Sequence, residues 1–204
     1  MDDDDLGYPE ESSAWLSSSD SDSEHDESCT GIAMTPYSRI TAHHRQPFSI
    51  ARKTLFSGHR PPHDPDRELA IHKLLSETLK ERKTVIPLLA YEVAPNGRIK
   101  LDFPLMQTDL KELYRWKKEE IAKEGMIIER FLEILEALEW VHGLGIIHRD
   151  VNPSNILLSN DLREPAFLAD FGISWMEEYP DAPDEGIIKY SSGVGTGYFL
   201  SKRH

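Results

Sequence analysis

The sequence predicts an α+β fold in which a small sheet with one helix precedes a mainly helical part. Three observations predict it. FSIARKTLF (48–56) has strand composition and is followed, after a proline-rich loop, by the helical start Asp64-Pro65. Pro95-Asn96-Gly97 separates two short apolar segments, and Asn-Gly in that place is the strongest short-range hairpin signal. A helix is expected from Asp109, and from Ile127 to Val141 the apolar residues recur at helical spacing. Strand, helix, hairpin and then helices, without repeats, is not the alternation that builds a parallel sheet.

In chain order, residues 1–45 are expected to form a disordered acidic and polar tail. The serine- and acid-rich start has too little apolar content to offset its ordering entropy. Folded structure is expected from Gln46. Asp64 serves as N-cap and Pro65 as first helical residue, and the helix runs to about Arg82 with Ile71, Leu74, Leu75 and Leu79 on one face. Short strands follow near Leu88–Val93 and Arg98–Phe103. One helix starts at Asp109. A longer one, near 125–142, carries the stripe Ile127, Phe131, Ile134, Leu138 and Val141 and ends at Gly143 and Gly145. NILLS (155–159) and PAFLA (165–169) read as a second hairpin turning at Asn160-Asp161, and from Gly172 onward the chain reads as a long loop.

Charge is uneven. Residues 1–28 hold 11 acids and no Lys or Arg, which accounts for most of the net charge of −13. The remainder is nearly neutral and offers no basic face for nucleic acid. The start MDDDDLGYPE lacks the features of a secretory signal, and no apolar run approaches the roughly 18 residues that span a bilayer. The single cysteine, Cys29, points to a reducing compartment, so the expected location is cytoplasm or nucleus, without membrane association.

The chemistry concentrates in His148-Arg149-Asp150, Asn155 and Asp170-Phe171-Gly172. Phosphoryl transfer from ATP needs a carboxylate to orient the attacking hydroxyl and oxygen ligands for Mg²⁺. Asp150 suits the first task. Asn155 and Asp170 suit the second, since hard cations take oxygen donors and the hairpin between them lets both converge.

On these motifs the stretch 48–200 resembles the eukaryotic protein kinase family, of serine/threonine type. The resemblance implies a two-lobe fold with a small lobe at 46–103, a hinge at 104–108 and a partial large lobe at 109–204. It implies ATP and Mg²⁺ as cofactors and a protein hydroxyl as substrate. Ala51-Arg52-Lys53 is similar to the family's third-strand motif, with Ala51 over the adenine and Lys53 toward the phosphates. A lysine on a strand is otherwise common. Glu68 shares the inward helical face of Ile71 and Leu75, so it is either the partner of Lys53 or a first-turn acid favoured by the helix dipole. Phe103 stands at the gatekeeper position, with the Pro104 carbonyl and Met106 N–H offered to an adenine and Leu157 closing the pocket from below. Each of these would serve equally as a core residue. Gly195-Thr196 resembles the Gly-Thr before the substrate-docking segment. Ser191 and Ser192 stand where an activating phosphate would pair with Arg149, or they belong to a flexible polar loop.

Phe103, the Phe-x-x-x-x-x-Asp-Leu hinge and Arg67-Glu68-Leu69 are most similar to cyclin-dependent and CDK-activating kinases, for which a cyclin-like regulatory partner is implied. The Asn-Pro-Ser-Asn loop and acidic tail are similar to fungal members. Small-molecule phosphotransferases of related fold tend to have glycine in place of Arg149.

Three departures from the family stand out. The segment before Lys53, CTGIAMTPYSRITAHHRQ, has one glycine, Gly31, where a glycine-rich loop is expected. Asn152 replaces the lysine two residues after the catalytic aspartate and brings no charge to the transferred phosphoryl group. After Tyr198-Phe199 the chain reads SKRH, without the expected Ala-Pro-Glu and the helices beyond, as in a truncated copy. The function expected is an ATP-dependent protein serine/threonine kinase. The alternative is a catalytically impaired pseudokinase or fragment that binds nucleotide or a protein partner.

Overall fold

The computed structural model describes residues 29–44, 49–57, 62–78, 84–123, 126–159, 161 and 164–176, with the side chains of 117–126 outside that description. The activation-segment residues Ser191, Ser192 and Thr196, and the Gly195-Thr196 pair, lie outside the described residues.

Five antiparallel strands form the main sheet in the order β1-β2-β3-β5-β4: β1 (Cys29–Met34), β2 (Ser38–His44), β3 (Ser49–Leu55), β4 (Ala90–Val93) and β5 (Ile99–Pro104). Among the described residues the sheet already includes Cys29–His44, which corrects the expected start of folded structure at Gln46. The acid run masks a strand pair that follows directly on it. In β2, Ser38, Ala42 and His43 are buried, and Ala42 faces Ala51 of β3 across the ladder. The β4–β5 turn follows the sequence signal closely. Ala94 N–H donates to Arg98 C=O at 2.9 Å, Gly97 takes φ +77°, and Asn96 Oδ1 accepts Arg98 N–H.

The helix α1 (Pro65–Thr78) begins as predicted, with Asp64 Oδ1 accepting Asp66 and Arg67 N–H at 3.1 and 3.0 Å. It is described only to Thr78, so the expected end near Arg82 lies outside the described residues. Its inward face, Glu68, Ile71, His72 and Leu75, is buried under the sheet.

A connector from β5 leads to β6 (Thr108–Asp109) and α2 (Leu110–Lys123), where Asp109 Oδ1 caps Glu112 N–H at 2.9 Å. Then come α3 (Met126–Gly143), β7 (Ile146–Ile147), a 3₁₀ turn (Pro153–Asn155), β8 (Ile156–Leu158), β9 (Phe167–Leu168) and β10 (Trp175–Met176). The second hairpin is the β8–β9 pair, shorter than the sequence suggests. The expected loop after Gly172 contains β10, which pairs with β7.

The apolar stripe of α3 needs correction. Ile134, Ala137 and Val141 are buried with Arg130, whereas Ile127 and Phe131 are exposed, Phe131 at 61%. Arg130 enters the core side because Glu133, the Glu129 carboxylate and the Glu164 carbonyl partner it.

Two apolar clusters result. Leu55, Ile86, Ile99, Leu101, Phe103 and Ala169 lie under the sheet. Ile71, Leu75, Val85, Ile134, Val141, Leu158, Leu168 and Phe171 tie α1 and α3 to the short strands.

Candidate nucleotide site

Strand alternation sends Ala51, Lys53 and Leu55 of β3 to one face. Lys53, only 8% exposed, places Nζ 2.6 Å from Glu68 Oε1 and 2.8 Å from Asp170 Oδ1. Of the two readings of Glu68, the ion pair is the observed one. Burial alone would lower the Lys53 pKa, but the two carboxylates outweigh it and hold the ammonium charged. The Lys53 charge holds Asp170 well below the usual carboxylate range. Burial pushes the Glu68 carboxyl up against the pull of the same ammonium.

Asp170 has φ 66°, and its Oδ1 also accepts Gly172 N–H at 3.2 Å. A Cβ on Gly172 would lie 3.2 Å from both Asp170 Oδ1 and Glu68 Oε2, a tight approach that a side chain there would relieve only by shifting the two carboxylates.

The loop before β8 is locked to this turn. His148 Nε2–H donates to Ala169 C=O at 3.0 Å, while its Nδ1 accepts Asp150 N–H at 3.2 Å. Burial lowers its pKa, in keeping with a neutral ring that both donates and accepts. Asn155 Nδ2 donates to the Asp150 carbonyl at 2.8 Å and to Asp150 Oδ2 at 2.9 Å. That fixes the Asp150 carboxylate and leaves Asn155 Oδ1 as its oxygen for a cation. Arg149 is half-buried at φ 67°.

A cavity of about 390 Å³ runs between the lobes. Ile32 and Ile40 line it from β1 and β2 along with Ala51, while Leu157, Pro104 and Met106 line its other walls and Phe103 its inner end. Leu105 N–H donates to Ser49 C=O and Gln107 N–H to Leu158 C=O, so Met106 N–H, between them, has no backbone acceptor among the described residues. Lys53, Asn155 and Asp170 line the same cavity. Its oxygen donors, an amide and a carboxylate, suit a Mg²⁺ carried in with phosphates better than a cation bound by protein alone. Among the described residues no cluster of three His, Cys, Asp or Glu could hold a metal by itself.

The sequence reading missed Ile32 and Ile40, because their segment was assigned to the tail; the alternation of SRITAHH was the available signal. It also missed His72, whose ring lies 4.8 Å from Phe103 and 5.4 Å from Phe171, with His148 next in line 4.7 Å from Phe171. Asn152 proves to be structural. Its Oδ1 accepts Ser154 N–H at 2.9 Å and its Nδ2 donates to Asp150 C=O at 3.1 Å, capping the 3₁₀ turn.

A sheet lobe over a helical part, joined by a hinge and sharing one charged cleft, defines the kinase class of fold. Residues 37–203 match the family described as Protein kinase domain, and the chain belongs to that family. It is 40% identical over 68 residues to the serine/threonine-protein kinase csk1 of Schizosaccharomyces pombe, covering 33% of this chain and 21% of that protein. It is 34% identical over 138 residues to mitogen-activated protein kinase 15 of Caenorhabditis elegans, covering 65% and 28%. Extracellular signal-regulated kinase 2 of Dictyostelium discoideum is 34% identical over 128 residues, covering 62% and 33%. The chain thus spans between a fifth and a third of these relatives. No helix among the described residues is long and apolar enough to cross a membrane.

Proposed function

We propose that the chain is a serine/threonine protein kinase unit that binds Mg²⁺–ATP and transfers its terminal phosphoryl group to a protein hydroxyl. The single observation that carries this reading is Lys53 held between Glu68 and Asp170 at the inner end of a cavity that Asn155 also lines. An ammonium beside oxygen donors receives a polyphosphate and its cation together. Ala51, Ile32, Ile40 and Leu157 supply apolar surfaces for a base, and Met106 N–H supplies a directional donor. Bound Mg²⁺ would draw charge from the phosphates; Asn155 and Asp170 are the side chains that would hold it. Asp150, fixed by Asn155, would orient the acceptor hydroxyl.

Within the family, Phe103, the Phe103–Asp109-Leu110 hinge spacing and Arg67-Glu68-Leu69 favour a cyclin-dependent-like member with a cyclin-like regulatory partner. The single cysteine favours the cytoplasm or nucleus.

A second reading, nucleotide binding with little or no transfer, is favoured by Asn152. Its side chain is engaged in capping the 3₁₀ turn through Oδ1 and in holding the Asp150 carbonyl through Nδ2, and it brings no charge to the moving phosphoryl group. Phosphate transfer to a generic basic protein separates the two readings. The kinase reading expects slow transfer that Asp150→Asn abolishes and Asn152→Lys accelerates. Transfer that survives in Asp150→Asn would contradict it, and Mg²⁺–ATP binding without any transfer would select the second reading.

A further inference from the structure

The turn between β1 and β2 contains no glycine: Thr35, Pro36 and Tyr37 make it, and Gly31, back in β1, does not adopt positive φ. Thr35 organises it. Thr35 N–H donates to Ser38 C=O at 2.8 Å, and Thr35 Oγ1 accepts the N–H groups of Tyr37 and Ser38 at 3.2 and 3.0 Å. Those two N–H groups are therefore already satisfied and do not form an anion-binding nest.

The tip is fastened instead through a side chain. The Tyr37 ring stacks on His63 with centroids 3.8 Å apart and planes 17° from parallel, while Tyr37 C=O accepts Phe56 N–H at 2.9 Å. His63 immediately precedes Asp64, the cap of the helix that carries Glu68. A Cβ on Gly172 would lie 3.5 Å from His63 Nδ1, so the ring also rests near the turn that holds Asp170. Beneath the tip is a second cavity of about 390 Å³, lined by Tyr37, Ser38, Lys53, His63, Glu68 and Asp170 among others. It shares Lys53, Glu68 and Asp170 with the cleft between the lobes, and so continues that cleft at its charged end. Burial, then the Lys53 charge, lowers the His63 pKa and favours a neutral ring in the stack.

We propose that Tyr37 and His63 form a clasp that holds the β1–β2 tip over the polyphosphate of a bound nucleotide, doing by aromatic stacking what glycines do not do in this chain. The clasp deepens the nucleotide reading above and rests on it. Both are positioning residues: they act on the phosphate end through the hairpin and leave the base end alone.

The test is calorimetric titration of the full 204-residue chain with Mg²⁺–ATP and, separately, with adenosine. Tyr37→Ala and His63→Ala should each weaken Mg²⁺–ATP roughly three- to tenfold, the worth of one aromatic pair, without changing adenosine affinity. The double variant should be no weaker than either single one. His63→Phe should restore wild-type Mg²⁺–ATP affinity, because stacking and not hydrogen bonding is what the ring supplies. Equal losses for both ligands, additive losses, no loss, or a Phe variant that fails to restore binding would each overturn the clasp. A folded wild-type chain that binds neither ligand would overturn the nucleotide reading itself, whereas normal wild-type binding with unchanged alanine variants overturns only the clasp.

Discussion

The two ends of the cleft are built on different principles. The base end is a sandwich of apolar side chains, Ile32, Ile40, Ala51, Phe103 and Leu157, any of which shares its task with neighbours. The phosphate end depends on single groups: one ammonium between two carboxylates, one asparagine fixing Asp150, one glycine where a Cβ would crowd two carboxylates. Packing is tolerant of shape-preserving change, but a buried charge without its partner is not. The sequence departs from its family mostly at the phosphate end, at Asn152 and in the glycine-poor hairpin. There it has replaced charge or backbone freedom with hydrogen bonds and stacking.

The largest effect should come from breaking the charged triad. Lys53→Ala leaves Glu68, 3% exposed, without a counter-charge, and should cost about 3–5 kcal/mol of stability by urea unfolding. Replacing both partners, Lys53→Met with Glu68→Leu, should recover most of that loss while abolishing nucleotide binding. If the single and double variants are equally unstable, the cost lies in packing and not in the unpaired charge.

Next comes the contrast within α3. Ile134→Ala removes a side chain 3% exposed and should cost about 2–5 kcal/mol. Phe131→Ala, at an exposed position, should stay within about 0.5 kcal/mol and improve solubility. Comparable losses at the two positions would mean that Phe131 is covered in solution.

The distinction explains what was legible in the sequence. Elements with a local signal were readable: Asp64-Pro65 at the start of α1, the Pro95-Asn96-Gly97 turn, Gly145 after α3 and the Asp150–Asn155 spacing each specify their own geometry. The Lys53–Glu68 pair was readable because a carboxylate on an apolar helical face demands a partner. Unread were features set by distant contacts. The β1–β2 pair was obscured by the acidic run beside it. Arg130 displaced the expected apolar stripe because the Glu164 carbonyl, 34 residues away, reaches it together with the neighbouring Glu133. The role of Asn152 depended on a 3₁₀ turn that residue type alone does not announce, and Tyr37 meets His63 only once α1 is in place.

A smaller effect should appear in the pH dependence. Burial, then the Lys53 charge, lowers the His72 pKa from 6.5 to about 3. Below about pH 6.5 the unfolded chain binds a proton that the folded chain excludes, so stability falls as pH drops toward 3 and is unaffected by this group above 6.5. His148, lowered by burial, acts in the same sense, and Asp170 adds its loss only in the carboxylate range. Each such histidine contributes a slope of about 1.4 kcal/mol per pH unit once the unfolded form is charged. His72→Leu should reduce the slope between pH 6 and 5 measured by urea unfolding. An unchanged slope would show that His72 is protonated in the folded state.

The central claim is that Lys53, Glu68, Asn155 and Asp170 form one site for a nucleotide and its magnesium. Thermal unfolding of the full chain with ATP, in the presence and absence of Mg²⁺, tests it most directly for wild type and Asp170→Ala. The account predicts that ATP stabilises wild type only when Mg²⁺ is present, by about 2.7 kcal/mol at a hundredfold excess over Kd. It also predicts that Asp170→Ala folds but loses that response. A cooperatively folded wild type that ignores Mg²⁺–ATP, or an Asp170→Ala variant that responds as wild type does, would contradict it.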